Sequence, residues 1–298
     1  MRALVLILLV AGCYKVDYTE GKLSCGPGGL CPDTLTCDPF TNLCVGAVIP
    51  PPDADTTLPP PDADTTPDAD LSPDGMVDCT LVTDMPAWVD PVNGFDDPAH
   101  GGMPGVCAFR TLEFALTRAT KIINLTPATY SGTFPVELMG TQGLDCDPGA
   151  TGNRGILTSN AVTGGGLVSF EGTANVLRNC VLDAQNSTGA NCMVIYSTGA
   201  TPHIVNNTEF KNCYNNGIIT QTAGTNVNVT NSSFHDNARG IWWIVANTQG
   251  VMTNNSFANN SFMDIDCQDA SASLTGTGNH NGAGAPACDQ CQNCPFGP

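Results

Sequence analysis

The sequence predicts an all-β chain whose larger part is a parallel β-helix solenoid. Three observations predict it. One pattern is written three times between Pro202 and Gln268, at Ile204–Ile218, Asn228–Ile241 and Val251–Ile265. The phenylalanines of these copies, Phe210, Phe234 and Phe257, lie 24 and 23 residues apart. An apolar residue (Val205, Val229, Met252) precedes each by five positions, and a fainter copy at Leu177–Leu182 keeps that spacing. A short fixed period marks a solenoid, because one copy cannot bury its own apolar face and stacked copies can.

Each copy holds short alternating apolar runs, too short for helical turns, broken by Asn and Gly. Fourteen asparagines fall in the 67 residues from Pro202 to Gln268. Asn tolerates the left-handed backbone that a sharp corner demands. Stacked corners also let its side chain bond to the same residue one coil away. Three inward columns follow: Val205, Val229 and Met252; Phe210, Phe234 and Phe257; Ile218, Ile241 and Ile265. The pattern resembles the right-handed β-helix repeat of the pectin-lyase-like superfamily. That resemblance implies a right-handed coil with sites on its outer surface. A leucine-rich or WD-type repeat fits worse, since neither regular leucines nor Trp-Asp and Gly-His marks are present.

At the start, Met1-Arg2 leads into an eight-residue apolar run, Ala3–Val10. A bilayer span needs ~20 residues, so the run fits a secretory signal over residues 1–12. Val10-Ala11-Gly12-Cys13 resembles the lipobox of bacterial lipoproteins. The resemblance implies cleavage before Cys13, lipid on that residue and a tether over 13–24. Tyr14 in place of Asp implies the outer membrane or cell surface. The membrane, through this lipid, is one expected partner.

Cys25, Cys31, Cys37 and Cys44 follow in a Gly- and Pro-rich stretch. They predict a small disulfide knot over 25–44 with three open connectivities. Zinc fits less well, because the spacings are not paired C-x-x-C knuckles. Residues 45–78 form a disordered linker that repeats Pro-Asp-Ala-Asp-Thr-Thr. From Gly46 to Asp78 it has eight Asp and no Lys or Arg. Extended polyproline at about 3.1 Å per residue would let it reach on the order of 100 Å. The stretch around Asp68, Asp70 and Asp74 lacks the third Asp and closing Glu of a calcium loop.

The folded head, 79–287, opens with Trp88–Asp97, then Cys107–Ala119, then Ile122–Gly132. The middle piece is helical by pattern. Thr111 caps it, Glu113 sits in the first turn, and Leu112, Ala115, Leu116 and Ala119 share a face. This order resembles the opening of bacterial surface β-helix proteins of undefined function, in which the helix covers the open end of the coil. Such a cover protects unpaired strand edges. Residues 134–166 predict one or two distorted coils. Ten cysteines follow the linker: Cys79, Cys107, Cys146, Cys180, Cys192, Cys213, Cys267, Cys288, Cys291 and Cys294. With the four of the knot they make an even set, and full pairing is expected. The tail, 288–298, echoes an iron–sulfur run with Cys267 as a spatial fourth ligand. Disulfides that lock the tail over the coil end are the preferred reading.

Aligning the copies places Ile219, Trp242 and Asp266 in one outward column and Gln221, Ile244 and Gln268 in the next. Glu209, Ser233 and Ser256 form another, with Lys211, His235 and Ala258 two residues on. Trp242 beside Asp266, Gln268 and Gln221 predicts a sugar platform, in which the ring stacks and the polar groups bind hydroxyls. Trp243 points inward with Thr220 and Cys267.

An enzyme reading needs more. A glycosidase uses two carboxylates roughly 5–9.5 Å apart. Asp264 and Asp266 fit by strand alternation, although Asp264 aligns with corner positions and reads as a turn residue. The hydrolase motifs of the superfamily are missing from the coils. No acidic pair aligns with any of the seven basic residues beyond the linker. Two of the four His, His100 and His280, fall in Gly-rich loops. No cofactor is called for, with calcium left open. A formal charge of −18 without a basic patch argues against nucleic acid. Asn-x-Ser/Thr sites such as Asn206–Thr208 and Asn254–Ser256 are explained by corners, not glycosylation. The sequence thus predicts a lipid-anchored, exported protein that is a non-catalytic glycan-binding or envelope-structural module. A polysaccharide lyase or glycoside hydrolase is the alternative.

Overall fold

The computed structural model describes residues 35–38, 43–46, 78–82, 84–162, 165–282 and 287–296. The chain divides into two compact units, Met1–Leu71 and Ser72–Pro298. In the first, strand Leu35–Asp38 pairs antiparallel with Leu43–Gly46, which sets Cys37 opposite Cys44. The expected signal sequence, Cys13, the cross-links of Cys25, Cys31, Cys37 and Cys44, and most of the Pro/Asp linker lie outside the described residues. Among those residues, no helix is long and apolar enough to cross a membrane.

The second unit is a parallel β-solenoid. It is built from one sheet of eight strands and two of seven. A coil visits the three sheets in turn, as in Asn226–Thr230, Ser233–His235 and Arg239–Trp243. Successive coils pair in register. The three inward columns form as the sequence predicts: Val205–Val229–Met252, Phe210–Phe234–Phe257 and Ile218–Ile241–Ile265. All nine side chains are buried. The phenylalanines stack face to face, with centroids 4.7 Å apart for Phe210–Phe234 and 5.0 Å for Phe234–Phe257. Gly217 and Gly240 lie beside this stack. A Cβ on Gly240 would come within 2.8 Å of the Phe257 ring and 2.6 Å of the Asp264 carbonyl. Glycine here is the condition for closing the coil around a large ring.

Asparagine turns the corners. Between the first and second sheets, Asn179, Asn207, Asn231 and Asn254 all adopt positive φ, from 47° to 58°. Their side chains link across coils: Asn207 Nδ2 donates to Asn179 Oδ1 at 2.8 Å, and Asn254 Nδ2 to Asn231 Oδ1 at 3.4 Å. The next residue of each corner points inward and forms a second ladder. Thr208 N donates to Ser232 Oγ, Ser232 N to Asn255 Oδ1, and Asn255 N to Asn279 Oδ1. The corner between the second and third sheets repeats the device. Cys213 N donates to Asn237 Oδ1, and Asn237 N to Asn260 Oδ1. A corner turns the chain away from its neighbour, so its inward N–H groups lose sheet partners and these amides replace them. In earlier coils disulfides brace the same two corners, Cys146–Cys180 at the first and Cys192–Cys213 at the second.

Both ends of the coil are covered. Helix Leu112–Arg118 packs against strands Ala87–Val89 and Val136–Leu138. The Thr111 hydroxyl accepts the Phe114 N–H as a cap, and the Asp96 carboxylate accepts both Thr111 N–H and its hydroxyl. The helix is shorter than the Cys107–Ala119 pattern. Gly105–Cys107 forms a 3-10 turn and Phe109 bridges to Val89, so helical backbone starts only at Leu112. Cys79–Cys107 ties this cap together. At the far end, Cys288–Asp289 pairs with Ile265–Asp266. Phe296 packs edge-on against Phe257 at 5.3 Å. Cys267–Cys291 and Cys288–Cys294 fix the tail, so all four sulfurs of the iron–sulfur-like set are taken up in disulfides. Ten described cysteines thus form five disulfides, as full pairing requires. Such density belongs to exported proteins.

Candidate functional site

The outward columns stand as the alignment places them. Ile219, Trp242 and Asp266 are in register on the third sheet, and Trp243 lies between Thr220 and Cys267 in the core. Gln221 and Gln268 are both exposed just past that column. The Trp242 platform is not bare, however. The Arg239 guanidinium lies over the Trp242 ring, 4.5 Å from its centroid, and 4.4 Å from that of Phe262. Its Nε donates to Asp266 Oδ2 at 2.7 Å. The cation is held between two rings and a carboxylate, and one face of Trp242 is covered.

Open aromatic surface lies next to this cluster. Phe262 is 54% exposed and Tyr214 is 51% exposed. Tyr214 walls a groove of about 290 Å³ along the corner between the second and third sheets, with Asn186, Asp236, Asn259 and Ser261. Phe262 follows Ser261 directly and is fixed by its N–H to Ala238 O. Amide, hydroxyl and carboxylate groups therefore line a groove walled by one aromatic ring, Tyr214. Sequence reasoning reached Trp242, Asp266, Gln221 and Gln268 but missed Tyr214, Phe262 and Arg239. The spacing gave no column to Tyr214 or Phe262, because the corner they occupy varies in length between coils.

The two catalytic candidates stand in different surroundings. Asp266 is tied to Arg239. Asp264 lies within strand Met263–Cys267, not in a turn, and only 1% of it is exposed. The correction has a simple cause: the third-sheet strands run through Asn216–Thr220, Arg239–Trp243 and Met263–Cys267, so the corner ends before this position. The interior amide Asn260 Nδ2 donates to Asp264 Oδ1 at 2.7 Å. Asp264 Oδ2 has no partner. Burial pushes this carboxyl up to about 6, partly offset by the Asn260 hydrogen bond.

A stability prediction follows with a definite sign. The native carboxyl holds its proton to higher pH than the unfolded one, so the native state binds the excess proton between about pH 4 and about pH 6. Stability from this site falls as pH rises through that window and is flat above it. Asp264→Asn should remove the dependence and gain about 1–3 kcal/mol at pH 8, where the native carboxylate is buried and half-satisfied. Urea midpoints at pH 5 and pH 8 check it. Equal midpoint shifts at the two values would refute the assignment.

A second polar cluster sits on the outer face of the second sheet. Glu209 Oε1 is 3.1 Å from Lys211 Nζ and 3.1 Å from His235 Nε2, and His235 Nδ1 is 2.7 Å from Asp236 Oδ2. Asp183 is in register with Lys211 one coil earlier. The sequence predicts no acidic pair aligned with a base; in the fold Glu209 and Asp183 both stand beside Lys211, and a single carboxylate pairs with a base at Arg178–Asp145. Burial acts to raise the Glu209 carboxyl, but Lys211 and His235 outweigh it and hold it below the usual range. Glu209 also lines a shallow groove of about 590 Å³ with Arg154, Asn153, Ile156 and Val181. Buried His203 is spoken for: it accepts from Asn175 N and bonds Ser197 Oγ, and burial pushes its imidazole down. Among the described residues, no three His, Cys, Asp or Glu side chains are placed to share a metal ion.

Compared with protein-family models, curated proteins and solved structures, the chain matches none of them. What the structure shows is a parallel β-solenoid of three sheets.

Proposed function

We propose that this is an exported, lipid-anchored surface protein whose solenoid head is a non-catalytic glycan-binding module. The lipobox-like Val10–Cys13 supports the anchor, with the outer membrane as its location. The repeat pattern supports a right-handed coil of the pectin-lyase-like type. One observation carries the binding reading: Tyr214 walls a polar groove on the outside of the coil, and Arg239 and Phe262, which directly follow the groove residues Ala238 and Ser261, join it to the Trp242–Arg239–Asp266 cluster. Aromatic faces take up the apolar side of a sugar ring, and the flanking amides and carboxylate match its hydroxyls. Gln221 and Gln268 are exposed at the far end of the third-sheet strands and offer further polar groups.

Binding of the full chain to a panel of neutral and acidic polysaccharides tests this. Tyr214→Ala and Phe262→Ala should each weaken binding roughly tenfold, on the order of 1.4 kcal/mol. Trp242→Ala should act through Arg239, which loses one wall. Affinity unchanged in the Tyr214/Phe262 double variant would remove this edge from the account. A second reading, a polysaccharide lyase or hydrolase, is favoured by the Asp236–His235–Glu209–Lys211 string beside its groove. Such a string can hold and move a proton, and it would show itself as new chain ends.

A further inference from the structure

The outward face of the first sheet differs from the other two. Over its last four strands, His203–Asn206, Asn226–Thr230, Gln249–Thr253 and Ser273–Thr275, no ionisable side chain points out. The alternate residues Val205, Val227, Val229, Met252 and Leu274 are buried, which fixes the others as outward. This is unusual in a chain of formal charge −18, and the second and third sheets carry Glu209, Lys211, His235, Arg239 and Asp266 on their outer faces.

What the face does carry is short, uncharged and in register. Asn206, Thr230 and Thr253 form one lane, and Asn228, Val251 and Thr275 a parallel one. Asn206 Nδ2 donates to Thr230 Oγ1 at 2.6 Å, which locks the first two members of the first lane to each other. Parallel strands set the lanes' members about 4.8 Å apart, and alternate residues along a strand about 6.6 Å apart. Disulfides at two corners and the buried Asn ladders hold that spacing rigid.

We propose that this face binds ice. Hydroxyl, amide and methyl groups fixed at two repeating distances can order a layer of water as a lattice, and the distance between coils is close to an oxygen repeat of ordinary ice. An ionised group would turn nearby water toward itself and break the layer; these four strands present none, and the neutral face ends at the Arg178–Asp145 ion pair in the coils before Asn206. A crystalline neutral polysaccharide is the competing occupant, but the face offers no aromatic ring on which a sugar could stack.

The test uses the full chain. Wild type should shape growing ice crystals, show thermal hysteresis above an inert protein at the same concentration and slow ice recrystallisation. Asn228→Tyr and Thr253→Lys, both outward and without hydrogen bonds to lose, should reduce all three several-fold while circular dichroism stays unchanged. Phe262→Ala, on another face, should leave them intact. Round, unshaped crystals with wild type overturn the proposal, as does full activity in both face variants. Retention on crystalline chitin or cellulose that Asn228→Tyr abolishes, with no effect on ice, overturns it too and gives the face to polysaccharide.

Discussion

Phe234→Ala should destabilise the solenoid by about 3–5 kcal/mol, the usual cost of removing a buried ring. Phe234 is the middle of the stack and meets Phe210 on one side and Phe257 on the other. Gly217, whose missing Cβ makes room for this ring, cannot close the gap. The cavity therefore stays open and the cavity term is paid in full. Phe257→Ala should cost less, because Phe296 from the tail can tilt into the vacated space. Urea denaturation of both variants checks the order. A smaller loss at Phe234 than at Phe257 would mean that the stack is not the spine of the core.

Asn255→Leu should cost about 2–5 kcal/mol, although it adds apolar bulk to the interior. Asn255 Oδ1 accepts the Ser232 N–H, and Nδ2 donates to Val229 O and Asn279 Oδ1. Leucine keeps the volume and leaves a buried N–H and C=O to go unpaired, each worth about 1–3 kcal/mol. The neighbouring Asn254→Gly is the control. Asn254 is exposed at φ 54°, a conformation glycine takes freely, so its loss should stay within about 0.5 kcal/mol. Equal effects at the two positions would show that the corners need asparagine only for backbone conformation, not for the inward ladder.

That pair of neighbours shows what the sequence could and could not reveal. The left-handed corner and the stacked Asn were legible, because Asn is one of few residues suited to both. The three inward columns were legible from spacing alone, since register between parallel strands is set by the apolar pattern. The Thr111 cap and the helix over the coil's first end were legible from local chemistry. Harder to see was the division of each corner into an exposed Asn and a buried one, which depends on which side of the turn faces the core. Asp264 was misplaced for the same reason. It aligns with Gly217 and Gly240, which look like turn residues but are glycine because a phenylalanine ring lies against them. The candidate site was legible in part. Trp242 and Asp266 fell into one column by counting. Arg239 reaches Asp266 across 27 residues, and Phe262 comes from a corner of variable length; neither follows from a repeat. The Glu209–Lys211–His235 cluster joins two coils, and its residues were aligned correctly without their bonding being visible.

The most direct test of the functional account is a single assay on the full chain. Neutral and acidic polysaccharides would be incubated with it, with and without calcium, and both bound polymer and new chain ends followed. The account predicts retention of at least one polymer, sensitive to Tyr214→Ala and Phe262→Ala, with no new chain ends in any sample. Cleavage of any polymer would contradict it and move the chemistry to Glu209, Lys211 and His235.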